Sequence, residues 1–103
     1  MKTTDHQTDL HNKDATLSKV SNDIMNYLST FEDMNDGLFQ LSTLLEKKPI
    51  TIKRWIQKKH EPPKSSYIKL YSAMFDIKTV KDLFRVMPKS AAEYIKEHMH
   101  EDE

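Results

Sequence analysis

The chain has 103 residues with sixteen basic and sixteen acidic side chains, so its formal net charge is zero. This length allows one small domain with a single core. The absence of cysteine excludes disulfides, thiolate zinc sites and cysteine nucleophiles. No apolar run approaches the roughly 20 residues that span a bilayer, and the polar N-terminus lacks a signal-peptide pattern. The sequence therefore predicts a soluble, cytoplasmic protein.

The neutral total conceals three blocks of different sign. From Lys47 to Lys69 there are eight basic residues against one acid, Glu61. The first 46 residues hold three lysines against eight acids, and the last 34 hold five basic residues against seven acids. Exposed charge is screened beyond roughly 8 Å at physiological salt, so a basic surface can meet phosphate whatever the total charge. The basic block predicts contact with nucleic acid, although many lysine-rich helix faces are simply solvated.

The N-terminal third divides into an arm, a helix and a turn. Residues 1–15 are polar without periodic apolar positions, which predicts a disordered N-terminal arm. Apolar side chains then recur every three or four residues, which predicts a first helix over 17–32. Asn35, Asp36 and Gly37 offer turn and N-cap chemistry for the next helix.

The middle of the chain predicts two short helices. The second helix ends near Lys47 and turns an inward stripe to the core, made of Leu38, Leu41, Leu44 and Leu45. A third helix opens at Pro49, which is tolerated in a first turn because its missing N–H would be unpaired there. This helix is expected to bury Ile52, Trp55 and Ile56. Its other face carries Lys53, Arg54, Gln57 and Lys58.

Three further helices complete the predicted fold. A proline pair stops the third helix, and Ser65 or Ser66 can cap a fourth. Thr79 begins a fifth, and a last amphipathic helix covers 90–99. The fold class is therefore all-α, a small bundle of five or six helices. Its predicted divisions are the arm 1–15, a helix-turn-helix domain over 16–87, and a C-terminal helix with an acidic tail over 88–103.

Residues 38–84 carry a recognisable order of motifs. An L-x-x-L-L segment precedes a T-I-K-R-W helix, and Lys59 and Pro62 follow at fixed spacing. This order resembles the Cro and Xre type, or lambda-repressor-like, helix-turn-helix repressors of bacteria and their phages. The family's usual turn glycine is Glu46 here. Because a left-handed backbone costs a residue with a Cβ roughly 1 kcal/mol or more, we expect a changed turn.

The resemblance implies a sequence-specific transcriptional regulator, expected to be a repressor, whose recognition helix over about 49–58 enters the major groove of double-stranded DNA. The base-reading positions that it implies are Lys48, Pro49, Ile50, Lys53 and Arg54. The phosphate-binding positions are Gln40, expected near the N-terminus of the second helix, and Thr51, Lys58, Lys59 and Lys64. Arginine and lysine can donate to guanine O6 and N7, and isoleucine can pack on a thymine methyl. Trp55 is expected in the core.

The resemblance also implies a homodimer that reads two half-sites about 34 Å apart. Its expected surface lies after the common motif, where more apolar area is present than so small a core needs: Phe84, Met87, Tyr94, Ile95 and Met99. An alternative is a protein-binding adaptor or antitoxin-like module in which the same helices hold a protein partner. The acidic N-terminal region is a separate candidate contact for a protein partner. No catalytic motif is present, so we expect no enzyme and no cofactor. We also expect no metal, because His98 and His100 lie two apart on a helix and point to different sides.

Overall fold

The computed structural model describes the backbone of residues 2–99 and the side chains of residues 15–98. Within these residues all regular structure is helical, which confirms the all-α class. The six α-helices are α1 (Lys2–Leu28), α2 (Met34–Leu45), α3 (Pro49–Ile56), α4 (Tyr67–Phe75), α5 (Val80–Val86) and α6 (Lys89–Met99). A 3-10 turn (Lys64–Ser66) precedes α4. No helix in this part of the chain has both the length and the apolar character needed to cross a membrane. The predicted acidic tail beyond Met99 lies outside the described residues.

One apolar core connects the six helices. Its buried members are Val20, Ile24, Leu28, Leu38, Leu41, Leu45, Ile52, Trp55, Tyr67, Leu70, Tyr71, Leu83, Met87, Ala91, Ala92 and Ile95. The 2% exposure of Trp55 confirms that it is a packing residue. Because α6 contributes three of these side chains, the C-terminal helix shares the core of the preceding helices instead of lying outside it.

The first helix is longer than predicted. The sequence predicts a disordered arm over 1–15, whereas α1 begins at Lys2. The chain contains no glycine or proline before Gly37. Starting a helix is costly, but extending one adds a hydrogen bond for each residue fixed. The packed half of α1, from Thr16 onwards, supports the extension.

The second helix begins one turn earlier than predicted. Its N-cap is Asp33, whose Oδ1 accepts from the backbone N–H of Asn35 at 2.9 Å. Gly37 is therefore inside the helix, where a Cβ would lie 2.7 Å from Phe31 Cδ1. The inward stripe omits Leu44, which is 49% exposed and was wrongly predicted to be buried.

A buried tyrosine joins α4 to α1. The Tyr71 hydroxyl donates to Asp23 Oδ2 at 2.6 Å, and Lys19 Nζ lies 3.2 Å from the same oxygen. Burial, followed by the hydrogen bond to the carboxylate, raises the pKa of Tyr71 above its ordinary value of 10.0. At the start of α4, Ser66 makes no side-chain cap, because the preceding 3-10 turn supplies the first hydrogen bonds instead.

Candidate nucleic-acid interface

The connection between α2 and α3 is a tight turn in which Glu46 takes a left-handed conformation (φ 58°, ψ 41°). The N–H of Lys47 donates to the carbonyl of Ser42 at 2.9 Å, and that of Glu46 donates to Thr43 at 3.2 Å. These two bonds form a Schellman motif, the common end of a helix that normally uses glycine. The expectation of a changed turn was wrong, because Glu46 adopts the backbone conformation that glycine would favour.

The third helix is held firmly from its inner side. Ile52 and Trp55 are buried, and the helix packs against both α1 and α2. At its C-terminal end the Ser21 hydroxyl donates to the carbonyl of Ile56 at 2.6 Å. Ser21 is itself buried, so this bond ties α1 to α3 away from solvent. The outer face of α3 is thereby fixed relative to the rest of the domain.

That outer face carries one continuous row of exposed side chains. Ile50, Lys53, Arg54 and Gln57 are exposed and follow the spacing i, i+3, i+4 and i+7. At about 100° per residue this spacing keeps all four within roughly one quarter of the helix circumference. Gln57 lies on this row although the family pattern did not include it among the predicted site residues. The spacing i, i+3, i+4 and i+7 on the polar side of the helix is the sequence signal that identifies Gln57.

Lysine pairs flank this row at both ends of α3. Lys47 and Lys48 precede the helix, and Lys58 and Lys59 follow it. The second pair sits in another Schellman motif, in which Lys58 has φ 64° and the N–H of Lys59 donates to Arg54 at 2.9 Å. In the part of the chain whose side chains are described, none of these lysines forms an ion pair, and neither does Lys53 or Arg54.

The remaining predicted DNA contacts occupy less favourable positions. Pro49 and Thr51 are only partly exposed, because they lie where the row meets the core. Gln40 is exposed but lies in the middle of α2, so it is not near the helix N-terminus as expected. Lys64 Nζ donates to Glu61 Oε2 at 2.8 Å and lies 5.7 Å from the centroid of the Tyr94 ring. Its charge is therefore already partly balanced within the protein.

The predicted dimer surface is only partly available. Met87 and Ile95 are 3% and 7% exposed, because α6 folds back and uses them in the monomer core. This overturns their assignment to a dimer interface. Phe84 is half-buried beneath Lys96, and Tyr94 is exposed and stacks on the His98 ring at 4.0 Å. Met99, the fifth predicted residue, has a side chain outside the described range.

Apolar side chains are also exposed on α2 and at the start of α3. Phe39 and Leu44 of α2 are 66% and 49% exposed, and Ile50 at the start of α3 is 48% exposed. Single exposed apolar residues are ordinary on protein surfaces. Three of them on α2 and α3 are a feature that the sequence did not indicate for Phe39 and Leu44.

A comparison of the chain with protein-family models finds no match, and searches of curated proteins and of solved structures find none either. The membership of the Cro and Xre family therefore stays a prediction.

Proposed function

We propose that the protein is a sequence-specific DNA-binding regulator that inserts α3 into the major groove. The observation that carries the proposal is the outer face of α3, where an exposed row of side chains lies between two pairs of lysines that form no ion pair with any described side chain. The groove is about 12 Å wide, which admits one helix. A helix fixed by a buried tryptophan and a buried isoleucine supplies the rigidity that base reading requires.

The side chains of the row suit both kinds of contact. Arg54 can donate two parallel hydrogen bonds to guanine O6 and N7, and Ile50 can cover a thymine methyl. Lys58 and Lys59 suit phosphates, which position a protein on the duplex without reading its sequence. Because none of these cations has an ion-pair partner among the described side chains, each can bind DNA without first breaking an internal salt bridge.

The proposal is tested first by selection from a random duplex pool at about 100–150 mM salt, where specific contacts outweigh much of the nonspecific attraction. An enriched sequence supports the regulator, and an enriched palindrome supports a homodimer as well. The absence of any enriched sequence, together with no binding at low salt, contradicts both.

Two variants then separate base reading from phosphate binding. Arg54→Ala should weaken binding to the selected sequence by roughly 1–3 kcal/mol and relax the preference at one base pair. Lys59→Ala should weaken all sequences alike and lower the log–log salt slope by roughly 0.9. Both are measured by titration of selected and random duplexes across a salt series. Equal losses on the two DNAs for both variants would contradict the assignment of Arg54.

A second candidate function is a protein-binding adaptor or antitoxin-like module. The exposed Phe39, Leu44 and Ile50 favour it, because apolar side chains on adjoining helices can anchor a partner. In that case the protein should bind no duplex even at about 50 mM salt, where phosphate attraction is strong. A partner captured from lysate should be lost with Phe39→Ser and kept with Gln40→Ser, a matched exposed position on the same helix.

A further inference from the structure

We infer that Gln57 is a specificity-determining residue that reads an adenine at the far end of the α3 contact. This inference rests on the proposed function. It assigns a role to a side chain outside the expected base-reading set, which ended at Arg54.

The first argument is that Gln57 has no structural task that its side chain performs. It is the last residue before the turn, with φ −79° and ψ 0°. Its backbone N–H donates to the carbonyl of Lys53 at 2.9 Å, and the bonds that close the turn come from the N–H groups of Lys58 and Lys59. Its amide makes no hydrogen bond within the described part of the chain, and the residue is exposed. Both of its polar atoms are thus available to a ligand.

The second argument is position along the helix. Gln57 continues the row of Ile50, Lys53 and Arg54 on the same side of α3. Ile50 and Gln57 are seven residues apart, or about 10 Å along the axis. At about 3.4 Å per base pair, this length spans roughly three steps of the duplex.

The third argument concerns how the helix lies in the groove. If α3 entered with its N-terminus alone, cations would be expected chiefly at that end. Lysines without an ion pair among the described side chains instead lie at both ends, with Lys47 and Lys48 before the helix and Lys58 and Lys59 after it. Phosphate contacts at both ends hold a helix lengthwise along the groove, which brings Gln57 to the base edges. Glutamine pairs with adenine through N6 and N7.

The test is the same duplex selection carried out with three proteins: the unaltered chain, Gln57→Ala and Gln57→Glu. The unaltered chain should enrich a motif with one strongly preferred adenine about three base pairs from the end read by Ile50. Gln57→Ala should reduce the preference for adenine at that position by about 5- to 140-fold, which is the range that loss of a bidentate contact gives. The base preferences at the other positions should stay unchanged. Gln57→Glu should change the preferred base at that position from adenine to cytosine, because a carboxylate accepts a hydrogen bond from cytosine N4.

Two controls make the result specific. Circular dichroism melting of both Gln57 variants should match the unaltered chain, since the side chain is exposed and makes no hydrogen bond within the described part of the chain. Lys59→Ala should weaken binding but leave the base preference at every position of the motif unchanged. If the motif is enriched but unchanged in both Gln57 variants, the inference fails and the proposed function stands. If the unaltered chain enriches no motif, the proposed function fails, and this inference fails with it.

Discussion

Replacing Glu46 with glycine should stabilise the protein, because this residue holds a left-handed backbone at the α2–α3 turn (φ 58°, ψ 41°). A side chain with a Cβ costs about 1–2 kcal/mol in that conformation. Glycine removes this cost but loses about 0.5–1 kcal/mol through its freer unfolded chain. The net gain in the free energy of unfolding is therefore about 0.5–1 kcal/mol, which for a domain of this size raises Tm by about 2–8 °C.

The assay is thermal unfolding followed by circular dichroism at 222 nm and checked by urea denaturation. Glu46→Ala is the matched control, because it also removes the carboxylate but keeps the Cβ, and it should not raise Tm. Lys58→Gly, at φ 64°, should give a separate gain of similar size. A fall in Tm for Glu46→Gly would refute the reasoning, since that is the effect of glycine in an ordinary right-handed backbone.

Two other substitutions test the core. Gly37→Ala should lower the free energy of unfolding by about 1–2 kcal/mol, because overpacking against Phe31, 2.7 Å from the new Cβ, exceeds the gain of about 1 kcal/mol in helix propensity. Urea unfolding measures this change, and a net stabilisation would contradict the close packing at Gly37. Tyr71→Phe should reduce the alkaline loss of stability. The pKa of Tyr71 is raised on folding, so its contribution is complete below pH 10 and falls as the pH rises further. Melting between pH 8 and 11 should show the flatter profile, and an unchanged one would argue against the burial of the Tyr71 hydroxyl beside Asp23.

The sequence predicted the helices well where periodicity was long and less well at helix boundaries and at apolar positions that adjoin a buried face. The spacing of Leu38, Leu41 and Leu45 identifies one face of α2, and all three are buried. Leu44 lies about 100° from Leu45, so it faces outward. Periodicity alone did not exclude it, because Leu44 also follows Leu41 at the helical spacing of three residues. The true N-cap, Asp33, is a common capping residue whose choice over Asp36 depends on tertiary packing.

The candidate site shows the same division between local and tertiary information. Arg54, Lys53 and Ile50 were predicted and are exposed on one face of α3, because helical spacing fixes the face once Trp55 is buried. The turn at Glu46 was mispredicted, because backbone hydrogen bonds offset a local cost that the residue type alone suggests. Ile95 was assigned to surplus apolar area because the core predicted from the sequence did not include α6.

The charge distribution explains how a chain of zero net charge can offer a basic surface. Three acids near the basic block have other partners: Asp23 on α1 is bound by Lys19 and Tyr71, Asp33 caps α2, and Glu61 is paired with Lys64. The exposed Asp36 on α2 and Glu46 in the α2–α3 turn form no ion pair among the described side chains. Since Asp23, Asp33 and Glu61 are engaged and screening extends only about 8 Å at physiological salt, these three do little to neutralise the cations beside α3. Whether this surface suits nucleic acid therefore depends on the local balance of paired and unpaired charges, and not on the isoelectric point of the chain.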